Sequence, residues 1–203
     1  MQSGSNQKGE AMQTSSAAEA GDYFDYLCRR STLARLYRRY WLYPRLCRHL
    51  SGTVLDVGCG IGDLLAFRQG TVGTDINPRA VDWCRANGHH VELMRPDVLP
   101  FESAVFDGVV IDNVLEHIAD PGPLLVETHR VLRPGGRVLI GVPGKRGYAS
   151  DPDHKVFYDE HVLVSTMIET GFSLQRLLPM PFKSSWLDVQ MRQYCLYGVF
   201  QRD

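Results

Sequence analysis

The segment that most constrains the fold is residues 54–62, where the apolar run VLDV leads directly into the glycine-rich run GCGIG. Glycines in such a turn let the backbone bend sharply and approach a ligand, because no Cβ stands in the way. A dinucleotide-binding turn has the spacing G-x-G-x-x-G, whereas the spacing here is G-x-G-x-G and Asp63 occupies the third glycine position. The pattern predicts a strand, a ligand-binding turn and a helix, and it argues against a nicotinamide cofactor.

Beyond residue 52, short β-branched runs alternate with segments of helical length. The runs TVLDV, TVGTD, HVELM, FDGVVID and GRVLIGV predict strands, and residues 61–68, 78–87 and 121–132 predict the helices between them. Residues 158–170 predict a later helix, and residues 171–174 and 192–200 predict further strands. This alternation predicts an α/β fold with a doubly wound, mostly parallel sheet and helices on both faces.

We expect one folded domain over residues 21–203, because 203 residues with 44% apolar content suffice for one sizeable core. Residues 1–20 are small and polar without periodicity, so we expect a disordered tail there. Residues 21–50 have apolar residues at helical spacing and predict an N-terminal helical extension. Residues 51–143 would form the cofactor-binding core, and residues 144–203 an acceptor-side loop, a helix and the terminal strands.

Composition argues against several classes of protein. The 22 basic and 23 acidic side chains give a formal net charge of -1, which argues against a nucleic-acid partner. No apolar stretch reaches the roughly 20 residues of a membrane-spanning helix, and the first residues lack an export pattern, so we expect a soluble, cytoplasmic protein. Five scattered cysteines without a C-x-x-C pair indicate neither a disulfide framework nor a zinc site.

Seven arginines crowd into residues 29–48 beside four aromatic residues. They could form a surface for an anionic lipid at a membrane, for a phosphorylated sugar or for a nucleic acid. The alternative, which we favour, is a helix that covers the active site and keeps its arginine head groups in solvent. The residues concerned are Arg29, Arg30, Arg35, Arg38, Arg39, Arg45 and Arg48, with Tyr37, Tyr40, Trp41 and Tyr43.

Three aspartates lie at the ends of successive predicted strands. Asp56 places a carboxylate beside the glycine turn, where it suits a cationic amino group better than a pyrophosphate. Asp75 closes the second strand, where an acidic side chain can accept both hydroxyls of a ribose, and Asp97 offers an acceptor for an adenine amino group. One such aspartate is typical of a simple cap, but three at one edge of a parallel sheet predict a ligand site.

Residues 54–143 resemble the class I S-adenosylmethionine-dependent methyltransferases, through LDVGCG, TDINP, PDVLPF, FDGVVIDNVLEHI and HRVLRPGGRVLI in that order. The resemblance is to the small-molecule group with an LEH turn after the fourth strand. It implies a Rossmann-like sheet of seven strands with a reversed last hairpin, and S-adenosylmethionine lying across the strand ends. By this resemblance Asp56, Gly58, Cys59 and Gly60 hold the methionine moiety, Asp75 and Ile76 the ribose and adenine, Asp97 and Val98 the adenine, and Asn113 lies beside the sulfonium.

The sulfonium makes the methyl group electrophilic, so the protein mainly has to align a nucleophile and exclude water. A hydroxyl acceptor also needs a proton acceptor, and His117 and His154 are the candidates. His117 follows the fourth predicted strand, and His154 lies in a polar loop after the fifth, where Tyr158 could line the same acceptor pocket. Structural roles for both histidines remain the alternative.

We expect no bound metal. Some relatives carry Glu-x-x-Glu-His at the turn after the fourth strand and bind a divalent ion, but Asn113 occupies the first of these positions here. Glu116, His117 and His154 could still supply three ligands, although an amide in place of a carboxylate weakens a site for a hard cation.

The predicted function is methyl transfer from S-adenosylmethionine to a hydroxyl group of a small-molecule or glycan-type acceptor. Residues 38–143, 145–154 and 192–194 look similar to methyltransferases encoded with bacterial surface-polysaccharide genes, although the same cofactor half serves many unrelated acceptors. Two alternatives stay open. One is a non-catalytic module that binds S-adenosylmethionine or a partner, and the other, disfavoured by the glycine spacing, is a nucleotide-dependent oxidoreductase.

Overall fold

A computed structural model describes residues 24–25 and 27–203 of the chain. The predicted tail at residues 1–20 lies outside the described residues. The N-terminal helical extension is confirmed: α1 (Thr32–Tyr37) continues through a π-helical turn (Arg38–Leu42) into α2 (Tyr43–Leu46) and a 3₁₀ turn (Cys47–His49). The described helices include none long and apolar enough to cross a bilayer.

Seven strands form one sheet in the order β3-β2-β1-β4-β5-β7-β6. Strand β7 runs antiparallel to both of its neighbours, and the other pairs are parallel. The predicted doubly wound sheet with a reversed last hairpin is therefore confirmed. The strands are β1 (Val54–Val57), β2 (Val72–Asp75), β3 (Val91–Leu93), β4 (Phe106–Asp112), β5 (Leu132–Pro143), β6 (Phe172–Met180) and β7 (Cys195–Arg202).

The remaining helices lie between the strands and begin where the sequence offers caps. Asn77 accepts a hydrogen bond from the Arg79 amide and precedes Pro78 at the start of its helix, and the Asp159 side chain accepts one from the Val162 amide. The helices are α3 (Asp63–Phe67), α4 (Pro78–Ala86), α5 (Gly122–Val131), α6 (Lys145–Tyr148), α7 (Glu160–Glu169) and α8 (Ser185–Gln190). The short helices α6 and α8 were not predicted, because four and six residues hold too little periodicity to read.

The central strands are buried on both faces. One face packs against α5 and α7 through side chains such as Leu125 and Met167, and the other packs against the N-terminal helices through Leu42 and Leu46. Strands β1 and β4 lie side by side, with Val57 opposite Ile111, and the chain winds away from them in opposite directions. Ligands of such sheets bind outside the carboxyl ends of the strands at this reversal point. The topology thus places a crevice at the end of β1 and β4.

Candidate functional site

The predicted glycine turn is present at the end of β1. Gly58, Gly60 and Gly62 all have positive φ, at 72°, 53° and 80°, a conformation that side-chain-bearing residues rarely adopt. The amides of Gly58 and Cys59 donate hydrogen bonds to the Thr74 carbonyl at 2.8 and 3.1 Å, which fixes the turn against the end of β2. The turn therefore presents backbone without Cβ atoms to the crevice.

Asp75 connects the turn to the loop after β2. One carboxylate oxygen accepts the Gly60 amide and the other accepts the Asn77 amide, each at 2.8 Å. Burial raises the pKa of Asp75, while the backbone donors oppose that rise. Because a carboxylate offers about four lone-pair sites, Asp75 can still accept a further donor such as a ribose hydroxyl.

Asp56 lies buried at the end of β1 and lines a small cavity with Gly58, Cys59, Gly60 and Asn113. Burial raises the pKa of Asp56 well above its usual range, and the nearby charges of Asp112 and Asp75 raise it further. A buried carboxyl among other carboxylates is a site that a cationic group would stabilise. An α-ammonium group matches this requirement.

The N-terminal segment covers this cavity. Leu27 and Arg30 line it, and Arg30 forms an ion pair with Asp63 at the start of α3. A Cβ built on Gly60 would lie 3.0 Å from the Leu27 side chain, so the segment rests directly on the glycine turn.

The four residues predicted to contact the ribose and adenine lie outside this cavity lining. Asp75 is positioned by the turn, and Ile76 and Val98 are exposed apolar side chains. Asp97 has a φ of 57° in the turn after β3. The residues predicted to hold the methionine moiety thus lie together with Asn113 around the cavity. The residues predicted to hold the ribose and adenine lie along the neighbouring strand ends.

A polar network joins the N-terminal helices to the end of β4. Arg38 donates to Asp112 and to the Tyr43 hydroxyl, both at 3.1 Å, and the Tyr197 hydroxyl donates to Asp112 at 2.8 Å. Asn113, with a φ of 56°, donates its side-chain amide to the same aspartate at 2.8 Å. Sequence reasoning missed the roles of Arg38, Asp112 and Tyr197. The only available signal was that Asp112 ends a predicted strand.

A larger cleft of about 390 Å³ adjoins the cavity, and both are lined by Leu27, Arg30, Arg38 and Asn113. Its volume is within the range of small-molecule pockets, roughly 300 to 1,000 Å³. The wall opposite the N-terminal helix carries Glu116, His117, Ser150, Asp151, His154 and Arg192. The structure therefore places both predicted histidines in one cleft beside Asn113.

The two histidines lie against each other and against Glu116. Their ring centroids are 4.7 Å apart, and His154 Nε2 lies 3.9 Å from a Glu116 carboxylate oxygen. The Glu116 carbonyl accepts the amides of Lys155 and Val156 at 2.7 and 3.2 Å, which holds the loop carrying His154 against the turn carrying His117. One possible ligand atom from each of Glu116, His117 and His154 lies within 4.8 Å of the others, so these residues could also hold a cation.

Glu116 is 1% exposed, and its carboxyl oxygens have no hydrogen-bond partner among the described residues. Burial raises the pKa of Glu116 from 4.5 to about 8, and the charges of Asp112 and Asp151 contribute to the rise. Burial and the neighbouring His154 lower the pKa of His117. Titratable groups with perturbed pKa values that meet in one cleft mark that cleft as a candidate functional site.

Tyr158 does not line the cleft, contrary to the prediction. Its ring is buried in the main core, and burial raises the pKa of its hydroxyl to about 12. The helix that was expected to begin at Tyr158 begins at Glu160, because Asp159 is its cap. Tyr158 therefore stays in the extended segment before the helix and packs inward.

Comparisons with known proteins agree with the fold and the turn. Residues 55–140 match the family model described as a methyltransferase domain. A protein of Mycolicibacterium smegmatis named "probable S-adenosylmethionine-dependent methyltransferase" is 33% identical over 127 residues, covering 56% of this chain and 49% of that protein. A ubiquinone biosynthesis O-methyltransferase of Xylella fastidiosa is 34% identical over 105 residues, covering 45% of this chain and 42% of that protein.

Among solved structures, a methyltransferase of Thermotoga maritima has the same fold, with a TM-score of 0.74 at 16% identity. The match covers 91% of this chain and 99% of that one, which is described as S-adenosylmethionine-dependent and as a possible histamine N-methyltransferase. The chain spans about half the length of the curated relatives that it matches.

Proposed function

We propose that this chain is a class I S-adenosylmethionine-dependent methyltransferase and that it transfers the sulfonium methyl group to a hydroxyl group of a small-molecule or glycan-type acceptor. One observation carries the proposal: a cleft holding His117, His154 and Glu116 adjoins the glycine-turn cavity at Asn113. A methyl donor in the cavity and an acceptor in the cleft would thus meet beside Asn113.

The residues around the turn fit the cofactor. Asp56 would pair with its α-ammonium group, the backbone at Gly58 and Gly60 would lie against its methionine moiety, and Asp75 would accept the ribose hydroxyls. When bound, S-adenosylmethionine supplies an electrophilic methyl group. Leu27 and Arg30 would cover the bound molecule and exclude water from it.

His154 is the group best placed to take the acceptor's proton. Its Nδ1 lies 2.9 Å from the Tyr148 carbonyl, and because a carbonyl can only accept, Nδ1 carries the hydrogen and Nε2 is left to accept a proton. Asp151 places a carboxylate oxygen 3.9 Å from that Nε2, where its negative charge would stabilise the imidazolium formed. His117 packs against the His154 ring and is the second proton acceptor within reach.

A proton acceptor favours a hydroxyl over an amine as the methylated group, because a neutral amine is a good nucleophile before it loses a proton, whereas a neutral hydroxyl is a weak one. The relative from Xylella fastidiosa is named as an O-methyltransferase, whereas the Thermotoga maritima structure is described as a possible N-methyltransferase. We therefore expect hydroxyl compounds to be methylated in a mixed panel. Amine products alone would contradict this part of the proposal.

The first test separates binding from turnover. Calorimetry should show that the wild type binds S-adenosylmethionine and not a nicotinamide cofactor, and that Asp75→Ala abolishes binding with the fold intact. Mass spectrometry should then detect a methylated product from cell extract or from a panel of saccharides and phenols. Tight binding without any product would favour a non-catalytic module, and unchanged affinity in Asp75→Ala would show that the ribose lies elsewhere.

The second test addresses His154. His154→Ala should lower kcat by roughly 10² to 10⁴-fold, the usual contribution of a proton acceptor, without changing the affinity for S-adenosylmethionine. His90→Ala is the matched control, because the His90 side chain is exposed. A double variant that lacks His117 and His154 but keeps the full rate would exclude both as the base.

A divalent cation held by Glu116, His117 and His154 is the competing arrangement, favoured by the proximity of their ligand atoms. Such an ion would polarise the acceptor hydroxyl, so the histidines would not need to take its proton. We expect dialysis against EDTA to leave the rate unchanged. A loss of rate that is reversed by adding Mg²⁺, Mn²⁺ or Zn²⁺ would show that a bound metal, and not a histidine base, activates the acceptor hydroxyl.

A further inference from the structure

The outer face of the N-terminal helices carries an exposed apolar stripe formed by Leu33, Leu36 and Tyr40. Their exposed fractions are 79%, 45% and 69%. The spacing i, i+3, i+7 places them on one side of the helix, while Leu42 and Leu46 belong to the buried core. Large apolar side chains that are exposed together on one helical face are typical of an interaction surface.

Four arginines of the same segment accompany this stripe: Arg35, Arg39, Arg45 and Arg48. None of them forms an ion pair with a described residue, in contrast to Arg30 and Arg38, which pair with aspartates of the domain. Residues 26–55 contain no acidic side chain. The surface therefore has a local positive charge that the overall net charge of -1 conceals.

We propose that this face docks on an anionic lipid surface, with the apolar stripe inserted at the headgroup level and the arginines paired with lipid phosphates. A helix that combines an apolar face with clustered basic residues binds in this way, because burial of the apolar side chains and attraction of the basic side chains to anionic lipids both strengthen the binding. The aliphatic side chains of Leu33 and Leu36 favour lipid over nucleic acid, because backbone phosphates offer them no apolar contact. The inference rests on this surface alone and not on the proposed reaction.

The aromatic residues of the segment suit the same role. Tyr40 combines an apolar ring with a polar tip, as do residues at membrane interfaces, and the Arg45 guanidinium lies 3.4 Å over the centre of the Trp41 ring. Ala34, Tyr37 and Arg38 of the same helical segment line the acceptor cleft. A docked helix would thus hold the cleft close to the lipid surface.

The test is cosedimentation of the full chain with vesicles of phosphatidylcholine, with and without phosphatidylglycerol. The wild type should bind only the anionic vesicles, and added salt should weaken the binding. Arg35→Glu/Arg39→Glu and Leu33→Ser/Tyr40→Ser should each lower the partition coefficient by about tenfold or more. Arg85→Glu and Ile168→Ser are the matched controls, because both residues are exposed on other helices and should leave binding unchanged.

Four results would overturn the proposal. Two concern specificity: equal binding to both kinds of vesicle, and a loss in the controls as large as in the helix variants. Another is binding of a short RNA duplex, lost in the arginine variant, without binding to vesicles. The last is a dimer in light scattering that Leu33→Ser/Tyr40→Ser abolishes, since the stripe would then be an interface between two copies.

Discussion

Replacing Glu116 by glutamine should stabilise the protein, and by an amount that grows with pH. The carboxyl is buried without a hydrogen-bond partner among the described residues, and its pKa is raised from 4.5 to about 8. At about 1.4 kcal/mol for each pH unit between the two pKa values, the folded state loses up to about 5 kcal/mol of stability through this group. Glutamine has nearly the same shape and no proton to release, so it removes this loss.

The pH window follows from the sign of the shift. Below pH 4.5 the carboxyl is protonated in both the folded and the unfolded chain, and the variant and the wild type should have similar stability. Between pH 4.5 and about 8 the unfolded chain releases the proton while the folded chain retains it, so the wild type loses stability relative to the variant. Above about pH 8 the difference should stay constant.

Urea unfolding followed by tryptophan fluorescence, repeated at steps of pH, measures this difference directly. Glu127→Gln is a control of opposite sign, because hydrogen bonds from Arg130 lower the pKa of Glu127 and that variant should be less stable than the wild type near neutral pH. The reasoning is refuted if Glu116→Gln is no more stable than the wild type at pH 8, or if the difference does not grow between pH 5 and 8. Either result would mean that Glu116 is ionised in the folded protein and compensated by a cation.

Two further predictions concern the glycine turn and the polar network. Gly60→Ala should weaken S-adenosylmethionine binding in calorimetry by about tenfold, because φ is positive there and a Cβ would press on a leucine of the N-terminal segment. The control is Gly70→Ala, where φ is also positive but the space is open, and this variant should lose stability without losing affinity. Equal losses of affinity in the two variants would contradict the assignment of the turn. Arg38→Met should lower the free energy of unfolding by about 3 kcal/mol, because it removes the cationic partner of Asp112 from a largely buried ion pair. The control Arg39→Met should change it little, and equal effects of the two variants would show that the Arg38 ion pair does not stabilise the fold.

The mostly parallel α/β sheet and the glycine turn could be predicted from the sequence because their causes are local. Gly58 and Gly60 need no distant partner to allow positive φ, and the alternation of β-branched runs with capped helices leaves few topologies open. Tyr158 shows where this reasoning fails. The sequence places it close to His154, but the direction of its side chain depends on whether the chain is extended or helical at that point, and Asp159 decides this.

The arginines of the N-terminal segment show a second limit. All seven have the same local context, a basic and aromatic helix, and we expected all of them to extend into solvent. Arg30 and Arg38 instead turn inward, because Asp63 and Asp112 lie within reach although they are 33 and 74 residues away in the chain. Which arginine meets a carboxylate depends on how the helix rests on the sheet, and this is set by apolar residues such as Leu42 and Leu46.

The same dependence on long-range contacts explains why the sequence indicated both histidines as candidates but did not predict that they lie in contact. His117 and His154 are 37 positions apart, and the amides of Lys155 and Val156 on the Glu116 carbonyl bring their loops together. Those hydrogen bonds use only backbone atoms, so no side-chain pattern records them. The Glu116 carboxyl is buried at the same place, 3.9 Å from His154 Nε2. Its burial costs stability where the two histidines meet, and groups held at such a cost are candidates for a role in function.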